Sequence, residues 1–375
     1  MNFLSIEGIS IRNENIILSF RKLPYQYVWR FCLFFLLCFV PKRGECQSEN
    51  IKTYDDYILV RSGITNRSLN LNISPRENGF TQYFKRLWYR PNVNSALGIG
   101  VRFKGIGLSY SFKIIGDPLV SRLTKKSKHT DIRVNSLGRR IGYDINYQDY
   151  QGYFRSNFDI NGFSNLFRSI KNLGKQDSVF TRDDLRVRNY SANVYYIFTP
   201  ERFSYRAAFV FDERQLKSGG SFLVNGAINL TRVNAGSSIL PNNIEIDFDP
   251  SVLYSDINFY TLSIAPGYAY NFIYKEKFYT SLGVSAMAGL AFFEGRKDTN
   301  NSSFLRPSLN GVARLSLGYH GPLWIIGTSL TGDFKAVNLP SAQFRTSVLE
   351  LSFFVARRIP TRWMKGKKSF FEPKS

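Results

Sequence analysis

Cysteine is scarce in this 375-residue chain, and the three that occur, Cys32, Cys38 and Cys46, all fall within the first 46 residues. A disulfide framework or a thiolate metal site in the remaining sequence is thereby excluded. Histidine is scarcer still: His129 and His320 are the only two, which leaves little material for a His-based catalytic centre. A long apolar run is also missing. Phe31 to Val40 is the longest, about half of the ~20 residues that a spanning helix needs. Acidic groups are a minority, 28 Asp+Glu against 50 Lys+Arg, for a net charge of +22.

Aromatic residues are plentiful, 16% of the chain and mostly Phe and Tyr, a composition that favours strands and membrane interfaces. Before the apolar run stand Arg21-Lys22 and Arg30, and after it Gly44-Glu45-Cys46 places small residues at the first and third positions. This layout predicts a secretory signal peptide over 1–46, cut after Cys46, with an extended basic start that fits a true start codon downstream of Met1. Arg43-Gly44-Glu45 is a poor context for lipid modification of Cys46. The first 46 residues contribute six basic and three acidic groups, so +19 remains on the rest. Such an excess requires anionic surroundings. Behind a secretory signal these are lipopolysaccharide, phospholipid headgroups or an anionic solute rather than nucleic acid. The aromatics also sit in the apolar rows, away from the basic residues with which a nucleic-acid stacking platform would combine them.

Most of the sequence after residue 50 alternates with a period of two. From Arg202 to Asp212, Phe203, Tyr205, Ala207, Phe209 and Phe211 share one face, opposite Arg202, Ser204, Arg206 and Ala208. From Ser221 to Leu230, Phe222, Val224, Ile228 and Leu230 oppose Ser221, Asn225 and Asn229. The same split recurs at Leu97 to Phe103, Ile106 to Ile114, Ile141 to Gln148, Asn189 to Phe198, Leu262 to Phe272 and Leu349 to Val355. Segments of about ten residues suit tilted membrane strands, and charges keep to the second face or to strand ends. The pattern predicts an all-β, single-chain antiparallel transmembrane barrel of about 14 strands, with 12 to 16 possible. Phe209 and Val224 are expected to meet lipid and Arg206 to face an enclosed axis. Short turns near 104–105, 137–140, 199–201, 274–276 and 320–322 alternate with longer connections near 75–94, 116–128, 150–185, 293–306 and 334–344, as periplasmic turns and outer loops do. The count takes 57–74 as a single interrupted strand and includes another at Ile244 to Phe248. The barrel is placed at 47–358 and a basic, disordered tail at 359–375.

The segments Leu87 to Asn92, Phe103 to Leu108, Tyr147 to Phe154, Arg202 to Phe209, Glu213 to Leu223 and Pro266 to Tyr270 resemble an uncharacterised family of Gram-negative outer-membrane β-barrels known only as a domain of unknown function. Glu213 to Leu223 is the most specific part. The resemblance implies a bacterial outer-membrane location and an architecture, but no activity. The chain departs from many such barrels in continuing well past Phe354, where a terminal aromatic would be expected.

Within the connection from Asp212 to Ser218, the residues Asp212, Glu213, Arg214, Gln215, Lys217 and Ser218 gather charge, amide and hydroxyl groups. Two readings stand: a loop folded inward to constrict the lumen or grip an anion through Arg214 and Lys217, or a solvated hairpin turn whose Gly219 and Gly220 supply unusual backbone angles. Arg102, Arg206, Arg314 and Glu350, with Asp144, are expected inside the barrel, as an anion-binding lining or as a salt-bridge network that fills it. Neither histidine lies in a nucleophile context. The functional expectation is therefore non-enzymatic: passage or binding of a small anionic or polar ligand through a cationic lumen, with no cofactor, no metal and no nucleic acid. Outer-membrane lipids including lipopolysaccharide and the barrel-assembly machinery are the expected partners. A lipid-modifying enzyme and a structural or assembly partner are the alternatives.

Overall fold

The computed structural model describes residues 49–75, 87–93, 95–115, 128–155, 180–240, 253–296 and 301–361. The expected signal peptide at 1–46, the strand at 244–248 and the end of the tail lie outside the described residues, while the unit from Glu45 onward carries the fold. Fifteen strands are described: β1 (Ile51–Lys52), β2 (Tyr57–Pro75), β3 (Leu87–Pro91), β4 (Ser95–Phe103), β5 (Ile106–Ile115), β6 (Lys128–Leu137), β7 (Ile141–Arg155), β8 (Thr181–Ile197), β9 (Arg214–Gln215), β10 (Gly219–Asn234), β11 (Asp256–Tyr274), β12 (Phe278–Arg296), β13 (Asn301–His320), β14 (Trp324–Asn338) and β15 (Ala342–Pro360).

Twelve of these described strands pair with their neighbours into a closed antiparallel ring: β2, β4 to β8 and β10 to β15. Closure is made by β15 and β2, paired continuously from Ala342↔Pro75 to Pro360↔Tyr57. The ring thus has the lower of the expected strand numbers. The alternating segment at Arg202 to Asp212 is not one of its strands, and the expected strand at 244–248 is not among those described. Residues 57–74 fall in one strand, as the count requires, but it runs without the expected interruption from Tyr57 to Pro75. The connections near 293–306 and 334–344 are shorter than expected because β12 and β13 reach Arg296 and Asn301, and β14 and β15 reach Asn338 and Ala342.

Alternation has the expected sense over most of the ring, and reverses at the long-loop end of β2, where Leu69, Leu71 and Ile73 are buried inside. Through the middle of the wall the apolar rows point out, with Ile264 63%, Phe222 68% and Leu309 70% exposed, while Ser221, Asn225, Asn229 and Ser281 point in and are buried. Such a continuous oily exterior around a sealed backbone ladder is what hydrocarbon requires, since lipid offers no hydrogen bonds to unpaired N–H and C=O groups.

Strands β4, β5 and β6 are shorter than their neighbours. Above them β3 bridges the gap, pairing with β2 through Leu71↔Tyr89 and with β7 through Tyr89↔Arg155. The inner side of this long-loop end is filled by a buried apolar cluster including Leu71, Ile73, Leu87, Tyr89, Phe293 and Phe344.

The exterior assignment is tested by Ile264→Arg. Near the bilayer midplane this change should cost about 2–4 kcal/mol, whereas Asn301→Arg at the strand end should cost about 0–1 kcal/mol. Equilibrium guanidinium unfolding in phospholipid vesicles measures both, and equal costs would contradict a lipid-facing row.

Candidate functional site

The connection from β8 to β10 leaves the ring at the short-turn end and folds back into the lumen as a plug. Its entry is a turn in which Arg202 N donates to Thr199 O (3.1 Å). Ser204 then starts a π-helical turn, Arg206–Val210, its Oγ accepting from Ala207 N (3.0 Å) and its carbonyl from Ala208 N (3.0 Å). A side-chain oxygen in this position satisfies a donor that has no partner in the first turn. The turn ends at Phe211, whose φ of 68° is left-handed. For a bulky residue that conformation is unfavourable and persists only where packing holds it. Here the fully buried Phe211 ring lies 4.6 Å from the Phe354 ring and 5.5 Å from the Tyr279 ring.

This corrects the expected strand at 202–212. Phe203, Tyr205, Ala207, Ala208 and Phe211 are all buried, because the segment has protein on every side. Phe209, expected in lipid, packs on the inward face of β12: a Cβ added at Gly283 would lie 2.9 Å from its ring. Val224, by contrast, lies on the outward row of β10 as expected.

The predicted loop residues sit at the short-turn end, not among the outer loops, and β9 pairs with β1 there through Ile51↔Gln215 and Lys52↔Arg214. Glu213, Arg214 and Gln215 are buried rather than solvated; Lys217 and Ser218 are exposed. Gln215 is bonded through both ends of its amide. Its oxygen accepts from Ser204 N (3.0 Å) and Asn271 Nδ2 (3.3 Å), and its Nε2 donates to Arg202 O (3.0 Å) and Lys217 O (2.8 Å). Arg214 donates through Nε and Nη2 to Glu276 O (3.0 and 2.8 Å). Ser218 Oγ accepts from Ile273 N (2.8 Å). Gly219 and Gly220 begin a strand without positive φ. What Gly219 permits is close approach, since a Cβ there would meet Arg202 O at 2.3 Å.

Asp212 is the electrostatic centre of the plug. It accepts from Arg206 Nε and Nη2 (both 3.0 Å) and from Arg102 Nε on β4 (3.1 Å). Arg102 reaches it across β5 at Gly107, where any Cβ would collide with the guanidinium. Arg206 Nη1 also lies 2.9 Å from Glu213 Oε1, an ion pair by distance though not by hydrogen-bond angle, and Ser204 Oγ donates to Glu213 Oε2 (2.5 Å). Burial pushes the Glu213 carboxyl up. Burial pushes Asp212 the same way, but the Arg102 and Arg206 guanidiniums outweigh it and hold this carboxyl at about 2. Arg358, the last residue of the expected barrel, is buried on β15, and this strand runs on through Ile359 and Pro360, residues expected in the disordered tail. Arg358 donates to Gly321 O (2.7 Å), Pro322 O (3.0 Å) and Phe211 O (3.3 Å), with its guanidinium 3.8 Å over the Tyr54 ring. No charge pattern in the sequence distinguishes it from the basic residues that follow.

Between plug and apolar cluster lies a polar chamber of about 110 Å³, with a side cavity of about 80 Å³ against β4 and β5. Arg67 on β2 and Arg133 on β6 meet the same carboxylate, Glu350 on β15 (3.4 and 3.2 Å), and Arg67 also pairs with Asp131 on β6 (2.5 Å). These bonds cross the lumen as a chord over the Gly and Ser wall of β4 and β5. On the far side Arg314 donates to the hydroxyls of Tyr195 (3.1 Å) and of the plug's Tyr205, while Asp144 accepts from Tyr195 and from Asn193 Nδ2 (2.7 Å). Sequence reasoning finds Arg314, Asp144 and Glu350 here, and Arg102 at the plug. It misses Arg61, Arg67, Arg133 and Asp131, although Arg61 and Arg67 stand at odd positions of β2 in phase with buried Leu59 and Thr65.

Arg61 differs from the others. It borders both cavities, its Nη2 donates to Ser352 Oγ (3.2 Å) and its guanidinium lies 3.9 Å over the Phe354 ring. Among the described residues no carboxylate forms an ion pair with it.

The low Asp212 value makes the plug acid-sensitive. Relative to an ordinary carboxyl the shift corresponds to roughly 2 kcal/mol, fully present above about pH 4 and lost as pH falls through about 2. Pepsin cleavage within 199–218 should therefore rise steeply between pH 4 and pH 2. Asp212→Asn should make the plug's amide protection weaker at neutral pH, read by hydrogen exchange; unchanged protection would show that Asp212 does not hold the plug.

No curated protein sequence matches this chain. Among solved structures it is similar to the outer-membrane protease OmpT from Escherichia coli (9% identity, 84% of this chain and 100% of that one, TM-score 0.36). It is similar also to Ail, the attachment invasion locus protein of Yersinia pestis (16%, 57% and 97%, TM-score 0.24), and to the Pseudomonas putida toluene transporter TodX (7%, 82% and 90%, TM-score 0.25). At such TM-scores none of these likenesses bears on what this chain binds or does. The family match is of another order, since it extends over 48–358, the whole ring together with its plug. By that match the chain belongs to the family described as a domain of unknown function (DUF4421).

Proposed function

We propose that this protein is an outer-membrane barrel that binds a small anionic or polar solute in its lumenal chamber, and that any passage of that solute is gated by the plug. The observation that carries the reading is Arg61. A cation enclosed by protein without a carboxylate partner is costly, and this one borders a cavity large enough for several waters or a small oxyanion. Arg67, Arg133 and Arg314 face the same space, with carboxylate or phenol partners already in place. A bound anion would complete the set. The location is supported by the even number of antiparallel strands described, by the apolar exterior, and by first and last ring strands that meet at the short-turn end. Insertion would then fall to the barrel-assembly machinery of that membrane.

The reading includes no catalytic step and no cofactor. His129 Nε2 lies 3.0 Å from Tyr150 OH and His320 Nε2 lies 2.5 Å from Arg358 Nη2. Each imidazole is thus engaged with a group that is not a hydrolytic nucleophile, which favours binding over the lipid-modifying alternative.

Calorimetry with inorganic phosphate and sulfate on the full chain in detergent tests the proposal. Binding is expected, and Arg61→Met should weaken it at least about tenfold, the scale of one charge-assisted contact; no binding of either oxyanion, or no effect of the substitution, would refute it. In planar bilayers the native protein should conduct little, and the pair Arg102→Met with Asp212→Asn should raise conductance by loosening the plug. A wide, steady pore in the native protein would contradict gating.

A further inference from the structure

Pairing registers align the outward residues of neighbouring strands into levels, and at the long-loop end from β7 to β12 these levels are chemically sorted. One level holds Ile145, Ala192, Ile228, Leu262 and Leu290, Cα partners from strand to strand. Two residues further out, the level is Tyr147, Tyr190, Leu230, Tyr260 and Phe292. The Tyr147 and Tyr190 rings lie tilted 5.0 Å apart, and those of Tyr260 and Phe292 at 6.2 Å. Aromatics in such a row mark where hydrocarbon gives way to headgroups. The next level is Asp149, Arg188, Arg232, Asn258 and Glu294, and the one beyond it Gln151, Arg186, Asn234, Asp256 and Arg296. Lys128 on β6 flanks the last of these, as the partner of Gln151.

The charge in these two levels does not balance. Five cations (Lys128, Arg186, Arg188, Arg232 and Arg296) face three carboxylates (Asp149, Asp256 and Glu294). Asp149 already serves two cations, Lys128 (2.8 Å) and Arg186 (2.6 Å), and Asp256 pairs with Arg296. Arg188 and Arg232 are direct cross-strand partners of like charge, an arrangement that is destabilising on its own. Among the described residues the hydrogen bond of Arg188 goes to a neutral group, Asn234 Oδ1 (2.8 Å). Lys128 and Arg296 remain half or more exposed.

We infer that this outer face, β6 to β12 just beyond the aromatic row, is a docking surface for the phosphorylated headgroup of a lipid in the leaflet that surrounds the long-loop end. The height fits. The acyl chains would lie along the Ile228 and Leu262 level, the aromatic row would meet the ester and sugar region, and phosphate oxygens would reach the Arg188 and Arg232 pair, relieving its repulsion. The inference rests on the membrane reading of the exterior and is independent of the chamber, so failure of phosphate binding at Arg61 leaves it standing.

Native mass spectrometry of the full chain in detergent, titrated with diphosphorylated lipid A, tests it. The lipid should be retained, and its dephosphorylated form should bind at least about tenfold more weakly, as loss of charge-assisted contacts implies. Arg188→Gln with Arg232→Gln should lower retention to a similar extent, Arg188→Lys with Arg232→Lys should restore most of it, and Arg357→Gln at the other end should have no effect. Resistance of the barrel to protease establishes that each variant is folded. Equal binding of both lipid forms, or full retention by the Gln pair, would overturn the inference. So would displacement of the lipid by inorganic phosphate at comparable concentration, which would make this a soluble-anion site.

Discussion

The pairing of the first ring strand with the last governs everything else in this molecule. Along β2 and β15 the backbone register is unbroken from one end of the wall to the other, so no strand edge faces outward. A closed ladder lets the exterior be apolar, because the peptide groups along it are bonded from strand to strand. It also forces the interior to be polar, since whatever the alternation does not expose to lipid must be gathered around the axis.

A ring of this size raises a packing problem that its strands cannot solve alone. Eight strands leave an interior that side chains fill, and sixteen to eighteen leave an open channel; twelve lie between. The chain fills the space by three different means along the axis. At the long-loop end β3 and a cluster around Tyr89 and Phe293 make an apolar core. Mid-barrel, Arg67 and Arg133 stretch to Glu350 and Asp131. At the short-turn end the plug brings its own carboxylates to meet Arg102 and Arg206. Buried charges are tolerable only when paired or well bonded; Arg214, Arg314 and Arg358 lack a carboxylate but donate to carbonyls or phenols at two or more points, whereas Arg61 meets Ser352 and the Phe354 ring beside the two cavities.

Most of the wall was legible in the sequence because period two maps directly onto inside and outside. The plug was not, and the reason is physical. Alternation of Phe203, Tyr205, Ala207, Phe209 and Phe211 records that aromatics recur, but a segment buried on every side imposes no alternation of its own. Two local signals ran against a strand: the pair Ala207-Ala208, good helix formers, and the unbroken apolar run Phe209-Val210-Phe211. Long-range pairing was equally hidden. Nothing in the spacing of Arg102 and Asp212 joins them, and only the folding of the β8–β10 connection into the lumen does. The same holds for Arg358, whose partners Gly321 and Phe211 are distant in sequence.

Plug and chamber form one thermodynamic unit. The plug is tied to the ring at several points of its circumference: at Arg102 on β4, at Glu276 in the β11–β12 turn, at Ser316 on β13 and at Arg358 on β15. Breaking any one of these leaves the others, so the plug cannot swing away about a single hinge. Yet its upper surface is part of the chamber, for Tyr205 and Phe209 line the cavity and Tyr205 accepts from Arg314, while Phe211 lies 5.5 Å from the Arg61 guanidinium. An anion drawn to Arg61 and Arg314 would compete for the contacts that seat Tyr205 and Phe211. Any such competition is reciprocal: a solute that loosens the plug must bind more tightly once the plug is loosened. On the proposed reading, ligand affinity and plug stability would not be set independently, because Tyr205 and Phe211 belong to the plug and stand at the cavity and beside Arg61.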